Sequence, residues 1–521
     1  MTLNNWLIVF LVVQLIHFAG TWKLYIAAGR KAWEAAIPVY NAVILMKIIN
    51  RPWWWVILLF VPIVNLIMIP VVWVETLRSF GKNSTVDTAL VLLTLGFYIY
   101  YVNYTQSLNY IKDRDLKPRT AAGEWVSSIL FAVVAATLVH NYVMQPYTIP
   151  TSSLEKTLLV GDYLFVSKFH YGAKPPRTAI SLPMVHDTLP LVKAKSYYKG
   201  LQYPYFRIPG IQKIKRNDIV VFGWPVDTLV DILNPYGAVD IKPMDKKSNY
   251  VKRCVGVPGD SLEIRNGYVY INGQQNELPD RAKLQFGYAF RTSSRLNPAY
   301  AAERYDITDL YPMDNSYQVF QAHLTNEAYE KFKNYPSLDT IVSTQNQPGV
   351  WDKSTFPQDS RYPWNPDHFG PIYIPKAGVT VSITSESIPF YERIIEVYEG
   401  SELGIDNKIT QSGTQVLLNG EPIEEYTFKM DYYWMMGDNR SNSQDARMWG
   451  YVPFNHVVGK PVFVWLSIDK FGKGFNKIRW DRMFTTVGGS GEPVSYFKYF
   501  LILLAGWFVF SFFRKRKKAK S

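Results

Sequence analysis

Apolar and polar residues follow two different patterns in this chain, and the change falls near residue 145. Upstream, long uncharged runs dominate. The clearest, 53–74 (WWWVILLFVPIVNLIMIPVVWV), has 22 residues without a charge; at about 1.5 Å per residue, a helix of that length exceeds the roughly 30 Å hydrocarbon core of a bilayer. The run 125–144 is also uncharged and opens on Trp125, while 3–22 and 86–104 are more polar, with Gln14, His17 and Asp87 in or beside them. A fifth run, 494–513, carries Lys498 near its start and precedes a basic cluster, as in a helix anchored at both interfaces. These five predict transmembrane helices. The moderately apolar 35–49 fits either a helix along the membrane or a further span. The first run lacks the basic start and small-residue cleavage site of a removable leader, so it reads as retained.

Downstream, short runs alternate or are rich in β-branched and aromatic residues, at 163–169, 218–225, 261–273 and 379–383. Asn266-Gly267, Asn272-Gly273 and Asn419-Gly420 are hairpin signals. Regular βαβ spacing is missing, which disfavours a Rossmann or barrel enzyme, and no internal repeat stands out. Residues 280–370 differ again, with many Tyr, Pro, Asn and Asp and one helical candidate at 322–333. They predict an inserted subdomain or long loops on a β scaffold.

A net charge of +13 raises the question of nucleic acid, and its distribution answers it. Residues 1–144 hold 11 basic and 6 acidic side chains, 494–521 hold 7 basic and none acidic, and 145–493 hold 38 basic and 37 acidic. The excess flanks apolar segments, as in a membrane protein rather than a nucleic-acid-binding domain. Loops 24–52 (Arg30, Lys31, Lys47, Arg51) and 105–124 (Lys112, Arg114, Lys117, Arg119) and the tail 514–521 are basic, whereas 75–85 has only Arg78 and Lys82. Five spans then place the N-terminus outside, the C-terminus in the cytoplasm and 145–493 outward. Cys254 stands alone, which excludes an intrachain disulfide and a thiolate metal cluster. Among the seven histidines no HExxH pair occurs and no two are three or four apart, so a helical zinc site has no support.

Three segments carry candidate chemistry: Pro150-Thr151-Ser152-Ser153-Leu154, the run from Tyr250 to Asp260 around Lys252-Arg253, and the run from Met436 to Gly450 with Gly437-Asp438-Asn439-Arg440. Each has a bland reading when taken alone. The first fits a cap or turn, the second two strand residues facing opposite sides, and the third an Asx-stabilised turn or a cation loop, though without calcium-loop spacing.

In this order they resemble a bacterial type I signal peptidase, a membrane-bound Ser-Lys serine protease. The likeness is carried by 150–154 just beyond a membrane helix, GDYLFVSKFHYG at 161–172, KRCVGVPGD at 252–260 and GDNRSNSQDARMWG at 437–450. It covers about 145–485, with a divergent insertion at 270–425. The extra amino-terminal spans and the carboxy-terminal anchor resemble the longer signal peptidases of the Bacteroidetes group.

The resemblance implies Ser153 as nucleophile and Lys252 as general base. It implies the Thr151 hydroxyl and the Ser153 N–H as oxyanion hole and Ser443 as the group that orients the lysine. It makes Asp445 and Arg447 a supporting ion pair, and Asp438, Asn439 and Arg440 scaffold. Leu154 stands where the family has methionine. Lys156 stands where it has proline, with its charge expected toward solvent or lipid headgroups. A lysine serves as base only when its neutral form is populated, so a pKa ordinarily near 10.4 must fall; Cys254, Val255 and Val257 suit a dry setting.

The implied activity is removal of signal peptides, with small residues preferred at the first and third positions before the cut. No metal or cofactor is implied. Expected partners are signal-peptide-bearing preproteins and membrane lipid, with the export translocon a further candidate, and no nucleic acid. The expected location is the bacterial inner membrane, multi-pass, with the catalytic domain periplasmic. A Ser-Lys protease specialised for another membrane-tethered precursor and a non-catalytic envelope interaction module are the alternatives.

The expected fold is a multi-domain membrane protein. An N-terminal membrane region at 1–124 has spans near 3–22, 53–74 and 86–104, and a fourth transmembrane helix follows at 125–144. A mainly β catalytic domain at 145–274 and 426–485 is interrupted by an α+β or irregular subdomain at 275–425. A C-terminal transmembrane helix at 494–513 and a basic cytoplasmic tail at 514–521 complete it.

Overall fold

The computed structural model describes residues 3–189, 192, 194–228, 239–469 and 472–518, so the end of the basic tail, 519–521, lies outside the described residues. The chain divides into two compact units. One comprises Met1–Val143, Lys174–Ile208 and Ile241–Lys246, and the other Met144–Ala173, Pro209–Asp240 and Lys247–Ser521.

In the first unit the helix Leu3–Ala27 is continuous, and Ala121–Val143 is a second long apolar helix. The run 53–74 is not one continuous helix, which corrects the sequence expectation. It breaks into the helices Trp55–Leu58 and Asn65–Ser79. Pro62 cannot donate to a helical ladder and biases the preceding residue away from helix, and Ile63 takes a φ of +69°. The second piece runs on past the apolar stretch to include Glu75, which is buried and pairs with Arg51 at 2.7 Å, with Arg78 at 3.4 Å and with Arg114.

The run 86–104 is likewise divided, into Thr85–Leu93 and Tyr98–Thr105, bent by 119°. Gly96 lies in the break with a φ of +89°, and a Cβ there would fall 2.7 Å from the Trp73 ring. Residues 35–49 contribute the nine-residue helix Tyr40–Ile48, roughly 14 Å long and too short to span. These short helices bury a shared core that includes Leu24, Tyr25, Ile44, Met46, Ile49 and Val72. Among the described residues of the whole chain, three helices are long and apolar enough to cross a membrane, or four if the bent pair counts as one; the third is Phe497–Arg516.

The second unit is largely β. Its main sheet is antiparallel and runs Met144–Thr148, Asp162–Ser167, Val457–Ser467, Ile219–Gly223, Asn249–Gly256, Tyr432–Met436, Val452–Pro453, with Thr485–Thr486 also against Val457–Ser467. Alternation explains the register. Lys252 sits opposite Val220 on one neighbour, and Arg253 sits opposite Met436 on the other. All three Asn-Gly pairs turn hairpins with positive φ at both residues, at Asn266-Gly267, Asn272-Gly273 and Asn419-Gly420, the geometry that this dipeptide favours.

The 275–425 stretch contributes to two cores. Strands Asp309–Pro312, Val319–Leu324, Phe286–Thr292 and Leu338–Ser343 form a separate sheet, which with the helices Pro298–Tyr305 and Asn326–Phe332 buries Phe290, Phe320 and Phe332. The helix expected at 322–333 is shorter because 319–324 pairs as a strand, and Thr325 caps what remains through Ala328 N. Farther on, Phe369, Ile372, Ile388, Ile395 and Val416 pack with Val255 and Trp434 of the main sheet.

Candidate functional site

The site is built where a buried strand meets two loops of the same unit. Lys252 lies in the middle of the main sheet between two paired neighbours. Ser153 lies in a turn closed by backbone bonds from Glu155 N to Ser152 O at 3.0 Å and from Leu158 N to Leu154 O at 2.8 Å. Leu154 and Leu158 anchor that turn by packing with Ile149, Leu164, Ile219 and Val464. The apolar character at 154 thus fixes the turn next to the serine.

Lys252 Nζ donates to Ser153 Oγ over 2.7 Å, with both residues buried. Burial is the main reason that the lysine pKa falls from 10.5 to about 8. Asp445 and Asp438 act against that fall, and Arg447 adds to it. The ammonium also lies 5.4 Å from the centre of the Tyr250 ring.

The 436–450 loop closes over the turn. Asn439 N donates to Ser153 O at 3.1 Å. Gly437 permits the approach, because a Cβ there would fall 2.5 Å from Ser153 O and 2.3 Å from Ser443 Oγ. Asp445 receives Gly437 N at 3.0 Å and pairs bidentately with Arg447 at 2.8 and 2.9 Å. Asp438 pairs bidentately with Arg253 at 2.8 and 2.7 Å and accepts from Thr157 Oγ1. In both pairs a neighbouring cation outweighs burial and holds the carboxyl below its ordinary range. Both neutralise charge that would otherwise be buried unpaired.

Ser443 Oγ is buried, and no hydrogen bond joins it to Lys252 or to any other described group. Thr151 is exposed, and its hydroxyl has no partner among the described residues. Arg440 is buried without a carboxylate partner among the described residues and contacts Met436 Sδ at 3.4 Å. Burial and neighbouring arginine charge bring its pKa down to about 10. It lines a cavity of about 420 Å³ with Tyr268, Leu278 and Leu284. Lys156 is not directed to solvent. Its Nζ donates to the Asp306 carbonyl at 2.8 Å and to the Asp306 carboxylate at 2.7 Å.

Asp309 was invisible at the sequence level. It lies in the inserted sheet, in no motif, yet its carboxylate accepts from Ser152 Oγ at 2.7 Å, next to the predicted nucleophile. Among the described residues no cluster of three or more His, Cys, Asp or Glu side chains is placed to hold a metal ion.

Residues 122–339 and 392–466 match the family model described as signal peptidase, peptidase S26. Residues 33–113 match a family of unknown function, DUF5684. Similar proteins include Signal peptidase I of Helicobacter pylori (strain ATCC 700392 / 26695), 25% identical over 376 residues, which is 70% of this chain and 91% of that one. Signal peptidase I of Buchnera aphidicola subsp. Acyrthosiphon pisum is 24% identical over 65% of this chain and 73% of its own length. That of Haemophilus influenzae is 22% identical over 71% and 78% respectively.

Proposed function

Because the chain belongs to the signal peptidase family, peptidase S26, and is a membrane-anchored serine endopeptidase that removes signal peptides from preproteins, we propose that Ser153 is its nucleophile and Lys252 its general base. The observation that carries this reading is the 2.7 Å contact between Lys252 Nζ and Ser153 Oγ, both buried, with the lysine pKa lowered to about 8. A desolvated lysine has a populated neutral form near neutral pH, which a base requires.

In the first step Ser153 Oγ attacks the scissile carbonyl while Lys252 Nζ takes the hydroxyl proton. The oxyanion that forms receives the Ser153 N–H and the Thr151 hydroxyl, which is free to donate. Lys252 then gives its proton to the departing amine. A water molecule, deprotonated by the neutral Lys252 amine, attacks the acyl-enzyme carbonyl; the bond to Ser153 Oγ breaks, and Lys252 returns the proton to that oxygen, restoring the serine. Asp445 with Arg447 and Asp438 with Arg253 hold the loop and strand that frame the dyad. Arg440 is scaffold of the same loop. Ser443, on the same loop and beside Gly437, is the group that orients the lysine in this reading.

Ser153 follows the helix Ala121–Val143 by ten residues, which supports cleavage at the membrane surface while the apolar part of the leader stays in lipid. The orientation that fits the basic clusters puts this domain on the periplasmic side of the inner membrane and the basic carboxy-terminal end in the cytoplasm. Membrane lipid and the export translocon are then its neighbours. Purified full-length Ser153→Ala and Lys252→Ala, assayed in detergent on a preprotein, should each lose cleavage while remaining folded. Lys252→Arg should also fail, since guanidinium is not neutral at working pH. Substantial turnover by any of the three refutes the assignment.

A further inference from the structure

Three hydrogen bonds and a histidine converge on one carboxylate oxygen beside the dyad, and that carboxylate comes from the inserted sheet. Asp309 opens the strand Asp309–Pro312 and is buried. Its Oδ2 accepts from Ser152 Oγ at 2.7 Å, from Asn439 Nδ2 at 2.7 Å and from Asn442 Nδ2 at 3.1 Å, and it lies 3.3 Å from His323 Nδ1. These partners are tied to the nucleophile's own backbone. Asn439 Nδ2 also donates to the Ser152 carbonyl at 3.3 Å, Asn439 N donates to the Ser153 carbonyl at 3.1 Å, and Asn442 Nδ2 donates to Ser152 Oγ at 3.0 Å. Three residues earlier, Asp306 holds Lys156 of the same turn.

We propose that Asp309 is a positioning residue for peptide cleavage: it clamps the Ser152–Ser153 peptide to the 439–442 loop and so fixes the Ser153 hydroxyl and N–H for reaction. The inference rests on the assignment of Ser153 and Lys252 given above. A carboxylate suits the task because it only accepts, and its bonds are charge-assisted. Burial pushes the Asp309 carboxyl up, but the hydrogen bonds from His323, Ser152 and Asn442 outweigh it and hold the pKa at about 2. The group is therefore ionised throughout the working range. An asparagine here would keep the shape but supply a weaker acceptor to the same donors. The insertion thereby becomes part of the site's framework.

Cleavage of a preprotein by full-length protein in detergent tests this, with kcat and KM measured separately and thermal unfolding followed in parallel. Asp309→Asn should lower kcat by about tenfold to a hundredfold, the effect of weakening charge-assisted hydrogen bonds around a nucleophile, with KM within about twofold. Ser152→Ala should lower kcat in the same way. The double variant should fall no more than about threefold below the worse single one, because both changes break one linkage. Wild-type kcat in folded Asp309→Asn, a loss confined to KM, or losses that multiply in the double variant would each overturn the proposal. If Asp309→Asn does not fold, Ser152→Ala decides alone, an unchanged kcat refuting the clamp. Ser153→Ala in the same assay separates the two claims. Its activity would refute the dyad itself, whereas an inactive Ser153→Ala beside a fully active Asp309→Asn would refute only the clamp.

Discussion

The lowered pKa of Lys252 has a direct kinetic signature. With an ordinary value of 10.5, the neutral fraction at pH 7 would be roughly 0.03%; at the value of about 8 in the fold it is roughly 9%, a gain of about 300-fold in competent base. The pH dependence of kcat/KM for the free enzyme should therefore rise about tenfold from pH 7 to a plateau above pH 9, with its midpoint near 8. Stability carries the same signature with a defined sign. Between pH 8 and 10.5 the unfolded chain binds the proton that the folded lysine has released, so stability rises with pH across that window and is lowest below it. The fall from 10.5 to about 8 corresponds to about 3 kcal/mol. Lys252→Met should accordingly be inactive yet unfold at a higher temperature than wild type at pH 7, and it should lack the wild-type gain in stability between pH 8 and 10. Initial rates on a preprotein across pH 6–10, paired with thermal unfolding of both proteins, provide the assay. A flat rate profile, or a midpoint at 10 or above, would refute the desolvated-base argument.

Two further outcomes follow from the backbone. Lys156→Pro, which restores the residue expected from the resemblance, should lower both the unfolding midpoint and the cleavage rate, because Lys156 has a φ of +71° and proline is confined near −65°; Lys156→Gly, which tolerates that φ, should retain more of both. Since 53–74 is not a continuous helix, and if the pair bent by 119° within 86–104 does not cross either, single cysteines in 24–52, 75–85 and 105–124, placed in a Cys254→Ser background, should all be protected from an impermeant thiol reagent in spheroplasts while the β unit is labelled. Labelling at 75–85 would refute three crossings.

What could be read in advance was chemistry contained in a few neighbouring residues. Asn-Gly pairs carry their turn geometry within the dipeptide, so all three hairpins were legible. The strands around Lys252 were legible because alternation and β-branched content are local. The run 53–74 misled because hydropathy averages over a window and passes over Pro62, while a helix depends on every residue's φ; Ile63, at +69°, ends the continuity. Counting uncharged residues could not show that the following helix extends to Glu75 and buries it among three arginines. Asp309 was hidden for a different reason. Nothing in its sequence neighbourhood distinguishes it from the other aspartates of a Tyr- and Asp-rich insertion, and only the pairing of its strand brings it against Ser152.

Lys156 joins these two levels. A proline at this point of the turn would stiffen the chain beside the nucleophile by restricting φ locally. Here the turn instead takes a φ of +71° at a lysine, a conformation that proline cannot adopt and that most side chains disfavour. What holds it is remote: the Lys156 ammonium bonds both the carbonyl and the carboxylate of Asp306, the left-handed residue that ends the helix Pro298–Tyr305. A cation at that helix terminus also meets the negative end of the helix dipole. The departure from the resemblance and the presence of the inserted sheet therefore explain each other. Rigidity that a proline would impose locally is supplied by a long-range tie, and that tie exists only when the insertion is folded. Loss of the 286–343 sheet should then be felt first in the turn that carries Ser153, before the main sheet that carries Lys252.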